Sequence, residues 1–183
     1  MSDLALTARG PLDGRVAAFS NVTVAPLPAA SRLSLRARPD SVAALSKALG
    51  IDLPLKPKTS ATKGARTAFW LGPDEWLILD EAGKNLIADC AKSKALHSAT
   101  DISERNTAIL VSGKHARGTL SAGCPQNLSD KAFPVGAVSR TLLGKIEVII
   151  NRTGAETFRV ECWRSFADYA FTYLSDAARD SVA

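Results

Sequence analysis

Histidine and cysteine are scarce in this 183-residue sequence, and their scarcity excludes several chemistries at once. His97 and His115 are the two histidines, and neither lies at helical spacing from another ligating residue. A dedicated zinc site needs about four converging nitrogen, sulfur or oxygen ligands, which this pattern does not supply. Cys90, Cys124 and Cys162 are odd in number, far apart and without CxxC spacing. That excludes a redox pair or zinc knuckle and leaves small buried side chains as the expectation. No apolar run approaches the roughly 20 residues that cross a bilayer. The opening MSDLALTARG also lacks the basic-then-apolar order of a secretory signal. A cytoplasmic chain with no membrane partner is expected.

Catalytic signatures are missing too. Ser112-Gly113-Lys114-His115 has one glycine where a phosphate loop needs several backbone amides facing the anion. There is no GxSxG elbow and no glycine fingerprint for a dinucleotide. With two histidines a Ser-His-Asp or Cys-His arrangement remains open in space, but no local motif favours one. Charge is the one compositional bias: 23 Lys and Arg against 18 Asp and Glu give a formal net charge of +5. The densest cluster, Lys56-Pro57-Lys58 to Lys63-Gly64-Ala65-Arg66, holds no aromatic residue, whereas single-strand binding wants stacking platforms as well as charge. A solvated loop is the expectation there, an acidic protein surface the next candidate, and no nucleic-acid partner is expected.

Hydrophobic residues make up 46% of the chain and charged residues 22%, ordinary for a folded domain long enough to bury a core. Residues 1–20 show Gly10-Pro11, Gly14 and little periodicity, which reads as a poorly ordered arm or docking segment, leaving one domain over 21–179. Strands are expected at 21–27 and 32–38, the second with Leu33, Leu35 and Ala37 on a buried face and Arg32, Ser34, Arg36 and Arg38 on a wet one. Asp40 or Ser41 is placed to cap a helix that Gly50 stops. A loop covers 54–66. Strands at 67–71 and 76–79 meet across Gly72-Pro73-Asp74-Glu75. A helix over 81–91, strands at 99–103 and 107–112, and a helix over 114–122 follow. Strands at 137–143, 145–151 and 158–162 precede a final helix capped by Ser165, with Phe166, Tyr169, Ala170, Tyr173 and Leu174 as its apolar stripe. Strands and helices mix without βαβ alternation, so the class is α+β with mostly antiparallel sheet and flanking helices.

Three groups carry polar or aromatic potential. Asp101-Ile102-Ser103-Glu104-Arg105 offers an acid, a base or an anion clamp. It reads equally as a strand end whose Asp and Ser satisfy backbone donors while Arg105 pairs with a carboxylate. Trp163-Arg164-Ser165 offers a guanidinium fork for an anion, or a charged strand end before a helix cap. Trp70 and Trp76 flank a tight turn and are either core or interface. No catalytic, cofactor or metal residue is assigned. Trp70, Asp74, Trp76, Trp163 and Arg164 are the expected interface residues.

Several ordered strings carry a resemblance: FWLGPDEWLIL at 69–79, DISERNTAILVSGKHAR at 101–117, AGCPQNL at 122–128, FPVGAVSRTLL at 133–143 and WRSFADYAFTYL at 163–174. Together they resemble the gamma subunits of heterotetrameric sarcosine oxidases. The resemblance implies a non-catalytic accessory subunit among alpha, beta and delta chains, which hold FAD, FMN, NAD and zinc while this chain holds none. The complex demethylates sarcosine oxidatively to glycine, with hydrogen peroxide and a one-carbon unit destined for tetrahydrofolate as the other products. It also implies a fold like the folate-binding domain of glycine-cleavage aminomethyltransferases. A free-standing tetrahydrofolate-dependent enzyme or folate-binding protein is therefore the alternative. Those relatives carry a GGIxDD-like segment whose acid meets folate. The matching stretch here is Gly144-Lys145-Ile146-Glu147-Val148-Ile149, with Val148 and Ile149 at the acidic positions, and such side chains can accept no proton. Nor does Cys124, in AGCPQNL, match the KGCYxGQE-like signature of other one-carbon proteins with this fold.

Overall fold

Alternation of side chains along the strands builds two antiparallel sheets, described over residues 9–182 of a computed structural model. The first is assembled from β1 (Ala17–Phe19), β2 (Val22–Pro26), β8 (Asn106–Ser112), β9 (Val138–Leu143), β10 (Ile146–Gly154) and β11 (Thr157–Trp163), in the order β1-β2-β8-β11-β10-β9. The second contains β3 (Ser31–Ala37), β4 (Ser60–Lys63), β5 (Arg66–Gly72), β6 (Glu75–Asp80) and β7 (His97–Asp101), in the order β4-β5-β6-β3-β7. Four helices accompany them: α1 (Val42–Leu49), α2 (Leu86–Ala91), α3 (Ala116–Ser121) and α4 (Ala167–Asp180). The α+β class and the dominance of antiparallel pairing are as the sequence predicts. No helix among the described residues is long and apolar enough to cross a membrane.

Because strand side chains alternate, each sheet presents two faces, and the burial sorts into three layers. Val148, Ile150, Val160, Ile109 and Val111 meet Ala170, Phe171 and Leu174 of α4 on the outer face of the first sheet. Leu33, Leu35, Trp76 and Ile78 meet Leu45 and Leu49 of α1 and Cys90 of α2 on the outer face of the second. Between the sheets lies a smaller apolar strip of Phe69, Leu77, Leu79, Ile102 and Val138, with Ile149 packed against it. The order is helices, sheet, sheet, helices.

The middle layer overturns one expectation. Arg32 stands on the face read as wet, yet it is only 2% exposed, because the second sheet's inner face is covered by the first sheet rather than by water. Its Nε donates to Glu161 Oε2 at 2.7 Å, and Arg159 Nε donates to Glu161 Oε1 at 2.7 Å. Arg159 Nη1 continues to Glu81 Oε1 at 2.8 Å. A buried cation–anion–cation triad therefore joins strand β3 of one sheet to β11 of the other. Burying a charge is tolerated only when it is paired and hydrogen-bonded.

Local differences from the sequence reading have simple causes. Residues 9–20 belong to the fold: Leu12 is buried, β1 pairs with β2, and the Arg15 guanidinium lies 4.3 Å from the Phe171 ring centroid. Residues 1–8 of the expected arm lie outside the described residues. The 54–66 loop contains β4, a short edge strand paired with β5, with Thr62 and Lys63 exposed and Ala61 packed against the second sheet's core. Arg66 of the basic cluster is engaged, its Nη2 at 2.8 Å from Asp80 and 2.9 Å from Asp89. The second helix begins only at Leu86, where the Asn85 side chain accepts from the Ala88 amide, because Gly83 first turns the chain at φ +70°. Gly50 ends α1 in the left-handed conformation, as expected. Neither Ser41 nor Ser165 caps with its side chain: tight 3-10 turns at Pro39–Ser41 and Arg164–Phe166 occupy those positions.

Candidate functional site

The strand ends at one rim of the sandwich gather residues from both sheets into a cleft. Leu71 and Glu75 come from the β5–β6 hairpin, Arg140 from β9, Ile149 from β10 and Trp163 from β11. The cleft spans the sheets through ions: Glu75 accepts from Arg36 Nη2 at 3.0 Å and also from Arg140 Nη2 across the gap. Arg140 Nε lies 3.9 Å from Glu147. These charges are partly solvated, so each pair contributes little by itself. Together they fix how the two sheets meet at this rim.

Trp163 projects from the end of β11 and is 45% exposed. Its ring stacks on Phe166 with centroids 5.9 Å apart and planes 16° from parallel. The Arg105 guanidinium lies 5.4 Å from the Trp163 ring centroid, a favourable position over an aromatic ring. Phe166 and Tyr169 extend this exposed apolar surface along the start of α4. The Tyr169 hydroxyl accepts from the Lys145 amide at 3.2 Å, tying the patch to the β9–β10 turn. At that turn Gly144 has φ +58° and leaves no room for a Cβ beside the Tyr169 hydroxyl.

Two segments noted separately in the sequence meet here. The Arg164 amide donates to the Arg105 carbonyl at 2.7 Å, and Arg164 Nη1 lies 3.4 Å from Glu104 Oε2. Arg164 Nη2 donates to the Arg9 carbonyl at 2.8 Å. Asp101 acts as the strand-end residue of the structural reading: its Oδ1 accepts from the Ser103 amide at 2.8 Å. Hydrogen bonds from Ser103 hold its carboxyl below the usual aspartate value. Arg105 differs from expectation, donating from Nε to Asn106 Oδ1 at 3.1 Å instead of pairing with a carboxylate.

Of the other expected interface residues, Trp76 is corrected outright. It is fully buried in the core under α1, and its Nε1 donates to the Pro54 carbonyl at 2.8 Å, so no partner can reach it. Trp70 stands opposite it in register and is half-buried. Asp74 is exposed at the hairpin tip, 3.5 Å from Arg36 Nη1. Phe166 and Tyr169 were read as an apolar helical stripe facing inward. Both are partly exposed instead: Phe166 lies in the 3-10 turn that precedes α4, and Tyr169 stands in the first turn of α4.

The two positions that the resemblance aligns with the folate-contacting acids are closed. Val148 points into the helix-covered core and is 1% exposed, while Ile149 fills the strip between the sheets. The cleft beside them holds about 50 Å³ of free space, room for a few waters and too little for a fused-ring cofactor. Glu147, just before them in sequence, is on the solvent side against Arg140. All three cysteines are buried and unpaired; burial raises the Cys90 thiol to about 11 and Cys162 to about 12. Both histidine rings meet backbone carbonyls, His97 at Ala95 and His115 at Ser181.

Comparison with known proteins fits this geometry. Residues 35–180 match the model of the sarcosine oxidase, gamma subunit family. The sarcosine oxidase subunit gamma of Corynebacterium sp. strain P-1 is 33% identical over 153 residues, covering 81% of this chain and 75% of that one. Its counterpart in strain U-96 is 32% identical over 173 residues, covering 92% and 84%. A chain of the heterotetrameric sarcosine oxidase from Corynebacterium sp. U-96 superimposes with a TM-score of 0.88 and 27% identity, covering 96% of this chain and 97% of that one. Aminomethyltransferase T of the glycine cleavage system from Bartonella henselae shares the fold, with a TM-score of 0.67 and 15% identity, over 87% of this chain and 47% of that one. The chain belongs to the sarcosine oxidase gamma subunit family.

Proposed function

We propose that this chain is the accessory, non-catalytic gamma subunit of a heterotetrameric sarcosine oxidase, working beside alpha, beta and delta subunits. The observation that carries the reading is the near end-to-end superposition on a chain of the Corynebacterium heterotetramer, with almost nothing left over on either side. FAD, FMN, NAD and zinc belong in this reading to the partner subunits. The complex oxidatively demethylates sarcosine to glycine, forms hydrogen peroxide and passes the one-carbon unit to tetrahydrofolate. This chain contributes surface: the exposed Trp163–Phe166 stack, flanked by Arg105 and Arg164, has the aromatic and arginine composition of an interface anchor. The apolar Val148 and Ile149 and the filled cleft weigh against a free-standing folate enzyme.

The test is co-expression with the three partner chains, followed by size-exclusion chromatography and peroxide release from sarcosine. The expected result is one monodisperse species containing all four chains, with Trp163→Ala weakening retention of this chain at least tenfold. A chain that elutes alone under every condition overturns the reading.

A further inference from the structure

At the rim opposite the aromatic patch, beneath the β4–β5 hairpin, a cavity of about 320 Å³ opens between the sheets. That size lies at the lower end of small-molecule sites. Its polar lining includes Ser60, Thr62, Thr67, Glu81, Asn151 and Arg159. Arg159 is 5% exposed, and its Nη2 is the one buried side-chain nitrogen or oxygen without a hydrogen-bond partner among the described residues. Native structures leave very few such groups unpaired. Beside Arg159 the Glu81 carboxylate accepts from Nη1 through Oε1 at 2.8 Å, and its side chain is otherwise 62% exposed. Arg152 also lines the space, but its guanidinium is already taken by the Phe133, Gly154 and Ala155 carbonyls and by Asp130.

The charges decide the ligand class. A simple anion drawn to Arg159 would face the Glu81 carboxylate, and a simple cation drawn to Glu81 would face the guanidinium. A molecule bearing both charges meets both partners favourably. The Thr62 and Thr67 hydroxyls, 3.2 Å apart, bond to each other and leave one hydroxyl hydrogen for the ligand. We propose that this cavity binds a small zwitterionic amino acid, its carboxylate on Arg159 and its amino group on Glu81. The assignment rests on the cavity and not on the subunit reading above.

Isothermal titration calorimetry of the full chain with glycine tests it, with acetate and methylammonium as half-ligands. Saturable glycine binding at least tenfold tighter than either half-ligand is expected. Glu81→Gln and Arg159→Lys should each weaken it at least tenfold. Glu81 is largely exposed, so its variant stays interpretable if the Arg159 variant fails to fold. Absence of saturable glycine binding, acetate binding as tightly as glycine, or an unchanged affinity in Glu81→Gln would each overturn the proposal.

Discussion

Glu161→Gln is the most informative single replacement in this fold. Glu161 is 1% exposed and receives hydrogen bonds from Arg32 Nε, Arg32 Nη2 and Arg159 Nε at 2.7, 3.4 and 2.7 Å. Glutamine keeps one carbonyl oxygen but sets an amide NH2 against guanidinium donors. It also removes the anion separating two buried cations. The one remaining carbonyl is neutral; beyond it Arg32 has the Ala30 carbonyl, at 3.1 Å, and Arg159 has Glu81. Removing one member of a buried pair typically costs about 3–5 kcal/mol, a large part of the ~5–15 kcal/mol that holds a domain folded. At roughly 2–4 °C per kcal/mol for a chain of this size, the melting temperature should fall by about 6–20 °C. Urea unfolding of the purified chain provides the check, with the slope unchanged so that the midpoint reports stability alone. The triple replacement Arg32→Met, Arg159→Met and Glu161→Leu should lie nearer the parent than the single, because it removes the desolvation cost with the charges. A loss below about 1 kcal/mol in Glu161→Gln, or a triple variant less stable than the single, would refute the claim that this network's integrity matters to the fold.

Trp76→Ala should cost about 3–5 kcal/mol by chemical denaturation, since it empties a fully buried site. Trp163→Ala should leave stability within about 1 kcal/mol while lowering retention in the complex, so the two tryptophans separate core from surface. Native Cys90 and Cys162 should resist iodoacetamide at pH 8 and label only after urea is added, because burial raises their thiols to about 11 and 12. Their folded values lie above the ordinary 9.0, so the stability they contribute is complete below pH 9 and declines as pH rises toward those values. Asp89, Asp101 and Asp130 show the opposite sign. Bonds from Lys92, Ser103 and Arg152 respectively are the largest causes holding their carboxyls below the usual 3.8. Their contribution is present above pH 3.8 and disappears as pH falls through the depressed values, so a urea midpoint followed from pH 6 to pH 2 should drop at the acid end.

The strands other than β1 and β4, the hairpin at Gly72–Glu75 and the left-handed stop at Gly50 are legible because local chemistry decides them. Arg32 was not. Alternation reveals that a strand has two faces but not that a second sheet covers the polar one, and the Glu161 that neutralises it lies 129 positions away. Trp76 shows the same limit: proximity to a turn suggests exposure, whereas its side of the strand and the Pro54 carbonyl bury it. β4 was hidden because its residues, Ser-Ala-Thr-Lys, carry no apolar alternation and are strand only through the partner they pair with. At the rim, the segments around Asp101 and Trp163 were both noticed, but only the tertiary contact between Arg105 and Arg164 makes them one surface.

The buried triad also bears on how such a chain can drift in sequence. Glu161 serves both cations: changing it alone strands Arg32 and leaves Arg159 with Glu81, whereas losing either arginine leaves the other paired with Glu161. A path that loses Glu161 first therefore passes through a destabilised intermediate, and a path that loses an arginine first does not. Related chains that lack Glu161 should also lack the cation at Arg32 unless another anion has entered the layer, whereas chains that keep Glu161 with one of the two arginines are expected.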